Sequence, residues 1–445
     1  MNARELVTNR LAAQIRRFPD LDISPLDTAG LDDRDAALAR AIEHAVVSRW
    51  LTLVRVIETQ LTRPWVEVEA RLQAVLLTGA AQLLLLDRLP DHAVINEAVE
   101  WAKSQIRPKA GGMVNAVLRK VAGLRAGEDK RFLTPFSRSQ LPRGDGRTML
   151  LNAEVFDADP AKRLAQQTSH PDWLITHWTR NFGQGAATEI ALHGLVHPPI
   201  IINSMGMPID EEHSKDLQPH EESGFYIFTG EHRALLDLLR SHEAIIVQDP
   251  TAAAPGLATR AMHPPPQVIL DVCAGMGTKT RQLVALHPQS TIVCTDIDSQ
   301  RLAVLREQFR GDDRVKVVEH RDLRQFDGKA DVLLLDVPCS NSGVFARRVE
   351  AKYRLNKVSL QKLIDLQRQI VADSIPLLSP RGRIVYSTCS IDPAENDEQA
   401  RWIAKWHPMK ITASRTRLPT GIPGQPPGGY SDGGFFAVLE RKGDD

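Results

Sequence analysis

In the first part of the chain, apolar residues recur at steps of three and four. Ile42, Val46, Trp50, Leu53, Ile57 and Leu61 form one series, and Leu72, Val75, Leu76, Gly79, Leu83 and Leu86 form another. Val94, Ala98, Val99 and Ala102 continue the pattern, as do Val114, Val117, Leu118 and Val121 after the break "RPKAGG". Such spacing gives each helix one apolar stripe, so residues 1–135 are expected to form an all-helical domain. "LTPFSRSQLPRGDGR" interrupts the rhythm and reads as part of a basic linker over 136–158. Short amphipathic helices follow from 159, with a natural end at Gly183 or Gly194. "PPIIINSM", "GFYIFTG" and "AIIVQD" then read as short strands, which predicts a small α+β module over 159–245.

Beyond residue 246 the period changes. "QVILDV", "TIVCTD", "VKVVEH", "DVLLLD" and "RIVYST" alternate with helical segments such as 298–309 and 359–378. Continuous apolar runs suit parallel strands buried on both faces, so 246–442 is expected to be a doubly wound, Rossmann-like α/β domain. Ligands bind such sheets at the carboxyl ends of the strands, and the residues that end each run become the candidates.

Composition narrows the picture only in places. The 445 residues carry 55 Lys and Arg against 55 Asp and Glu, so net charge selects no partner. Its distribution says more: Lys103, Arg107, Lys109, Arg119, Lys120, Arg125, Lys130, Arg131, Arg138, Arg143 and Arg147 are opposed within 101–150 only by Glu128, Asp129 and Asp145. Such a stretch can track phosphates, or it can be a solvated face. The four cysteines, Cys273, Cys294, Cys339 and Cys389, form no C-x-x-C pair. Neither a zinc site nor a disulfide framework is expected, and the compartment should be a reducing cytoplasm. "MNARELVTNRLAAQIRRF" lacks the uncharged core of a signal peptide, and "AVLLTGAAQLLLL" is too short to span a bilayer. No apolar repeat calls for obligate assembly, so a monomer is expected.

At the strand ends the chemistry gathers. In "LDVCAGMGTKT", residues 270–280, Gly275 and Gly277 permit a tight turn and close approach of a ligand to backbone amides. The spacing is not that of a nucleoside-triphosphate loop. Asp296 ends the second run, where a carboxylate accepts both hydroxyls of a ribose; Asp298 is better placed to cap the helix that follows. Asp322 follows the third run. The fourth, "LLLDVPCSNSG", brings Asp336 and Cys339 to the edge, and the fifth, "VYSTCS", brings Cys389. Cys294 and Cys273 read as small core hydrophobes, whereas the polar neighbours of Cys339 and Cys389 suit partly exposed thiolates.

The two cysteine motifs, fifty residues apart, resemble the pair found in RNA cytosine-C5 methyltransferases of the RsmB/Sun family; DNA cytosine methyltransferases rely on the first cysteine alone. "HAVINEAVEWAK" and "MVNAVLRK" are similar to the NusB-like RNA-binding domain that precedes the catalytic domain in family members acting on small-subunit ribosomal RNA. "SHPDWLITHW", "VQDPTAAA", "RRVEAKYR" and "DGGFFAVLE" match further landmarks, so the resemblance covers nearly the whole chain. It implies S-adenosyl-L-methionine as cofactor and RNA as partner, above all 16S ribosomal RNA, with transfer RNA or 23S ribosomal RNA as alternative substrates. It also implies Cys389 as nucleophile, Cys339 as the thiol that assists release, and Asp336 and Lys279 as further catalytic groups. Around the cofactor it implies Cys273, Ala274, Gly275, Met276, Gly277, Thr278, Lys279, Asp296, Asp322 and Asp336.

The family pattern A-A-P-G-G-K-T is altered here, with Gly275, Met276, Gly277 and Thr278 between Ala274 and Lys279, so the turn's contacts should differ. Asn341 to Gly343 read N-S-G where small residues or threonine are common. A nicotinamide-dependent oxidoreductase would use the same turn and acid but leaves both cysteines unexplained. A degenerate methyltransferase serving as an RNA-binding scaffold is the other alternative.

Overall fold

Caps, rather than the apolar stripe alone, set where the first helices begin and end. In the computed structural model, which describes residues 2–442 apart from 88, 133, 210, 243 and 244, the Asp32 side chain accepts from the Asp35 amide and starts helix Asp33–Ser48. At Arg49 the backbone leaves helical values (φ −120°, ψ 22°), and a new helix runs Trp50–Glu58. The periodic series from Ile42 therefore spans two helices. With Ala3–Ile15, Ala70–Leu85, Asp91–Gln105 and Ala110–Gly123, they share a core that includes Leu11, Ile42, Leu53, Leu76 and Val114.

Residues 136–158, expected as a linker, carry strands instead. Gln140–Pro142 and Thr148–Leu151 pair antiparallel, and Arg125–Asp129 adds to the other edge of Thr148–Leu151. Helices Pro160–Thr168 and Asp172–His193 follow. The longer one breaks at Gly183 (φ 84°) and is capped at Gly194, so both glycines punctuate it. All of this lies in one compact unit, Met1–His197, to which Phe345–Arg354 and Ile422–Gln425 also belong. Within that unit the Tyr353 hydroxyl donates to the Val47 carbonyl (2.7 Å) and the buried Lys352 ammonium to the Ser48 carbonyl (2.8 Å). Burial, then the neighbouring Arg49, pushes the Lys352 pKa well below its usual range.

The basic stretch is largely neutralised. Arg143 meets Asp87 and Glu128 at 2.8 Å each, and Arg147 meets Asp87, Glu128 and Asp145. Arg107 pairs with Glu69, Arg125 with Asp91, Arg131 with Asp129 and Arg138 with Glu154. Lys109, Arg119, Lys120 and Lys130 have no ion pair among the described residues. The sequence count missed this because Glu69, Asp87, Asp91 and Glu154 lie outside the stretch.

In the second unit (Pro198–Val344, Leu355–Gly421 and Pro426–Asp445), Ile200–Asn203, Leu217–Pro219, Phe225–Phe228 and Ile246–Val247 make a four-stranded antiparallel sheet. Ala244, which opens the run "AIIVQD", lies outside the described residues. A larger sheet follows, with strands β1 (Val268–Asp271), β2 (Thr291–Cys294), β3 (Val315–Val317), β4 (Ala330–Asp336), β5 (Leu378–Thr388), β6 (Met409–Arg417) and β7 (Gly434–Arg441). Their order is β3-β2-β1-β4-β5-β7-β6. The first five are parallel, as their apolar runs predict. β7 is antiparallel to both neighbours, so the sheet is mixed and its edge exceeds the five predicted runs. Alternate residues feed two cores: Leu270, Leu333, Leu335 and Ile384 on one face, Ile269, Val332, Leu334 and Val385 on the other. No helix among the described residues is long and apolar enough to cross a membrane.

Candidate active site

The parallel register sets Asp336 at the end of β4 beside Ser387 near the end of β5. Ser387 donates to Asp336 Oδ1 (2.8 Å), and Lys279, from the first turn of helix Thr278–Leu286, donates to Asp336 Oδ2 (2.6 Å). Just past the same strand ends, the Cys339 and Cys389 Sγ atoms lie 3.0 Å apart. Both thiols are half-buried. The Asn341 side-chain Oδ1 accepts from Cys389 Sγ at 3.2 Å, and the Asn341 backbone is left-handed (φ 60°).

The hydrogen bond to Cys389 and then burial push the Cys339 pKa well above the ordinary thiol range, and negative charge on Cys389 and Glu395 adds to this. Burial alone would lower Lys279, but Asp336 outweighs it, with help from negative charge on Cys389, so the net shift is upward and the lysine stays cationic. The two thiols are thus in contact beside a lysine that stays cationic, and Cys339 holds its proton.

The ends of β1 and β2 are built differently. Gly275 (φ 57°) and Gly277 (φ 81°) make the turn, and a Cβ on Gly277 would come within 2.9 Å of Leu305 Cδ2. Asp296 is buried and holds the turn itself, accepting from the Gly275 amide (2.9 Å) and the Asp298 amide (2.9 Å). Asp298 caps helix Ser299–Gln308, as expected. Asp322 lies exposed past β3, in the short helix His320–Phe326. Cys273 is half-buried, and burial first, then Asp271, raises its pKa. Cys294 is fully buried and pushed up to about 12.

Two acids escaped the sequence reading. Asp271, the last residue of β1, is buried; its Oδ2 accepts from Thr280 (2.7 Å) while its Oδ1 has no partner. The rule that found Asp296, an acid ending an apolar run, would have found it. Glu395 is buried behind both cysteines and has no such signal.

The open side of the turn fits an adenosine-containing methyl donor. A Cβ on Gly275 would meet nothing within 4 Å, Met276 and Ile297 are 57% and 90% exposed, and the buried Asp271 Oδ1 has no hydrogen-bond partner. Paired thiols at the carboxyl edge of a mixed 3-2-1-4-5-7-6 sheet, with this turn, define a methyltransferase. Residues 260–422 match the 16S rRNA methyltransferase RsmB/F family and residues 1–123 the NusB family. The chain is thus similar to the NusB family over its first part and to the RsmB/F methyltransferases over its last. It is 29% identical to the ribosomal RNA small subunit methyltransferase B of Salmonella paratyphi B, over 92% of this chain and 91% of the relative. The solved structure of PH0851 has the same fold (TM-score 0.71, 20% identity, 99% of each chain). A methyltransferase homologue from Pyrococcus horikoshii matches 64% of this chain and all of its own (TM-score 0.51, 19% identity).

Proposed function

We propose that the protein methylates carbon 5 of a cytosine in RNA, most consistently 16S ribosomal RNA given its curated relatives. The observation that carries this reading is the 3.0 Å contact between Cys339 and Cys389 above the Lys279–Asp336 pair. Carbon 5 of cytosine is a poor nucleophile until the ring is activated. The Cys389 thiolate adds to carbon 6, which places an electron pair at carbon 5. Asp336 accepts from the exocyclic amino group and orients the ring, and the Lys279 ammonium beside it stabilises the negative charge that develops on addition. S-adenosylmethionine supplies the electrophilic methyl group. The carbon-5 proton then passes to a base, the electron pair it leaves re-forms the 5,6 double bond, the sulfur–carbon bond breaks to return the Cys389 thiolate, and Cys339 assists that elimination. A paired base cannot reach this edge, so the target cytosine is flipped from its stack or sits in an unpaired loop. The NusB-like domain grips RNA, and Lys109, Arg119, Lys120 and Lys130, which have no ion pair among the described residues, are among the cations that can meet its phosphates.

Cys389→Ala should abolish tritium transfer from labelled S-adenosylmethionine to ribosomal RNA, and Cys339→Ala should accumulate a covalent protein–RNA adduct visible on denaturing gels. An adduct that forms with Cys389 replaced and Cys339 intact would exchange the two roles. Bisulfite sequencing of ribosomal RNA from a deletion strain identifies the nucleotide.

A further inference from the structure

Glu395 follows β5 and is fully buried. Its Oε1 accepts from the Ser340 amide (2.9 Å) and Gln367 Nε2 (3.0 Å), and its Oε2 accepts from the hydroxyls of Ser340 and Ser390. Ser340 follows Cys339 and Ser390 follows Cys389, so one carboxylate binds the residue after each thiol. Its surroundings are fixed in turn. Gln367 also donates to the Pro338 carbonyl (3.0 Å), and the Tyr386 hydroxyl donates to the Glu395 carbonyl (2.8 Å). The loops touch directly as well: the Gly343 amide donates to the Cys389 carbonyl (3.0 Å). A Cβ on Gly343 would lie 2.8 Å from that oxygen and 2.4 Å from the Gly433 carbonyl oxygen.

All four donors to Glu395 are neutral, and no cation lies within ion-pair distance of it among the described residues. Burial raises the Glu395 pKa, the hydrogen bonds from Ser340 and Ser390 work against that rise, and no adjacent cation cancels the carboxylate's charge. We infer that Glu395 is a positioning residue that assigns the two thiols their roles, joining the loop of Cys339 to that of Cys389 and keeping the proton on Cys339, so that Cys389 attacks. The inference rests on the proposed two-cysteine chemistry for its meaning, but the groups it concerns can be probed without RNA or cofactor. Other charged or titratable groups around the pair are Lys279, Asp336, Asp392, Tyr386 and Arg368. Of these Lys279 sits with Asp336, and negative charge on Cys389 supports it.

Glu395→Gln preserves shape, and the Ser340 and Ser390 hydroxyls can rotate to accept from the new amide, so only the charge is lost. Iodoacetamide alkylation of each cysteine, followed by peptide mass spectrometry across a pH series, reads the assignment. In the native protein Cys389 should react first. In the Gln variant the rate at Cys339 relative to Cys389 should rise about tenfold, the equivalent of one pKa unit. Glu395→Asp retains the charge and should keep the native order even if its shorter reach lowers kcat. A folded Gln variant with an unchanged ratio overturns the inference, as does an Asp variant with the reversed order. If the Gln variant does not fold, the Asp variant alone decides by the same ratio. Alkylation as expected without any methylation of RNA would instead sink the proposed function and leave the role of Glu395 standing.

Discussion

Two halves of one sheet edge are built on opposite plans. At the ends of β4 and β5 every polar group is tied to another: Asp336 to Lys279 and Ser387, Cys389 to Cys339 and Asn341, Glu395 to both serines. At the ends of β1 and β2 the turn is held from one side by Asp296, while Met276 and Ile297 face solvent and Asp271 keeps a bare oxygen. The first half is set before anything binds, which is what charge stabilisation in a transition state requires. The second half leaves its contacts to be completed by a ligand.

Asp336→Asn tests the closed half most severely, because it removes the charge that pairs with Lys279. Single-turnover methyl transfer should fall by about 10²–10³, the scale of losing one well-aimed electrostatic group; a loss under about tenfold would mean that the closed half is scaffolding. In the open half, Asp296→Asn should weaken S-adenosylmethionine binding in calorimetry by about ten- to a hundredfold, the loss of a charged hydrogen bond. Unchanged affinity would show that Asp296 serves only the turn. The mildest test is Asp271. Burial raises its pKa from the ordinary 3.8 to about 7, against a hydrogen bond from Thr280. The native state therefore holds a proton that the unfolded chain has released. The stability this confers is full below the lower value and is lost as pH rises through the upper one. Asp271→Asn should flatten the decline in melting temperature of the free protein across that window, a slope of at most about 1.4 kcal/mol per pH unit. A native protein with no such decline would show that Asp271 ionises as freely as on the surface.

Most of the closed half was legible in sequence because strand ends can be counted. A buried parallel strand leaves a continuous apolar run, and the residue that stops the run is by geometry at the ligand edge, as Asp336, Cys389 and Asp296 show. Glu395 was not legible, since its partners Ser340 and Gln367 lie 55 and 28 residues away and a Glu after a strand is usually solvated. β6 and β7 were missed as strands because "MKITASRTR" is mostly polar and the antiparallel edge breaks the alternation of run and helix. The strand "RAGED" has no apolar alternation at all. The basic stretch misled for the opposite reason, because charge counted along the chain ignores acids brought in by folding, and Arg143 is nearly as buried as a core residue.

The ten residues Phe345–Arg354 follow the Cys339 loop directly in the chain yet pack in the unit of Met1–His197, with Tyr353 and Lys352 capping Val47 and Ser48. The polypeptide is therefore spliced rather than strung. A cut at any one peptide bond strands a piece of one unit in the other, so a gene fusion that appended or removed the helical part would leave a buried lysine without its acceptor. Recombination between relatives would have to exchange the strap together with the helices it caps, which makes the two parts one unit of inheritance.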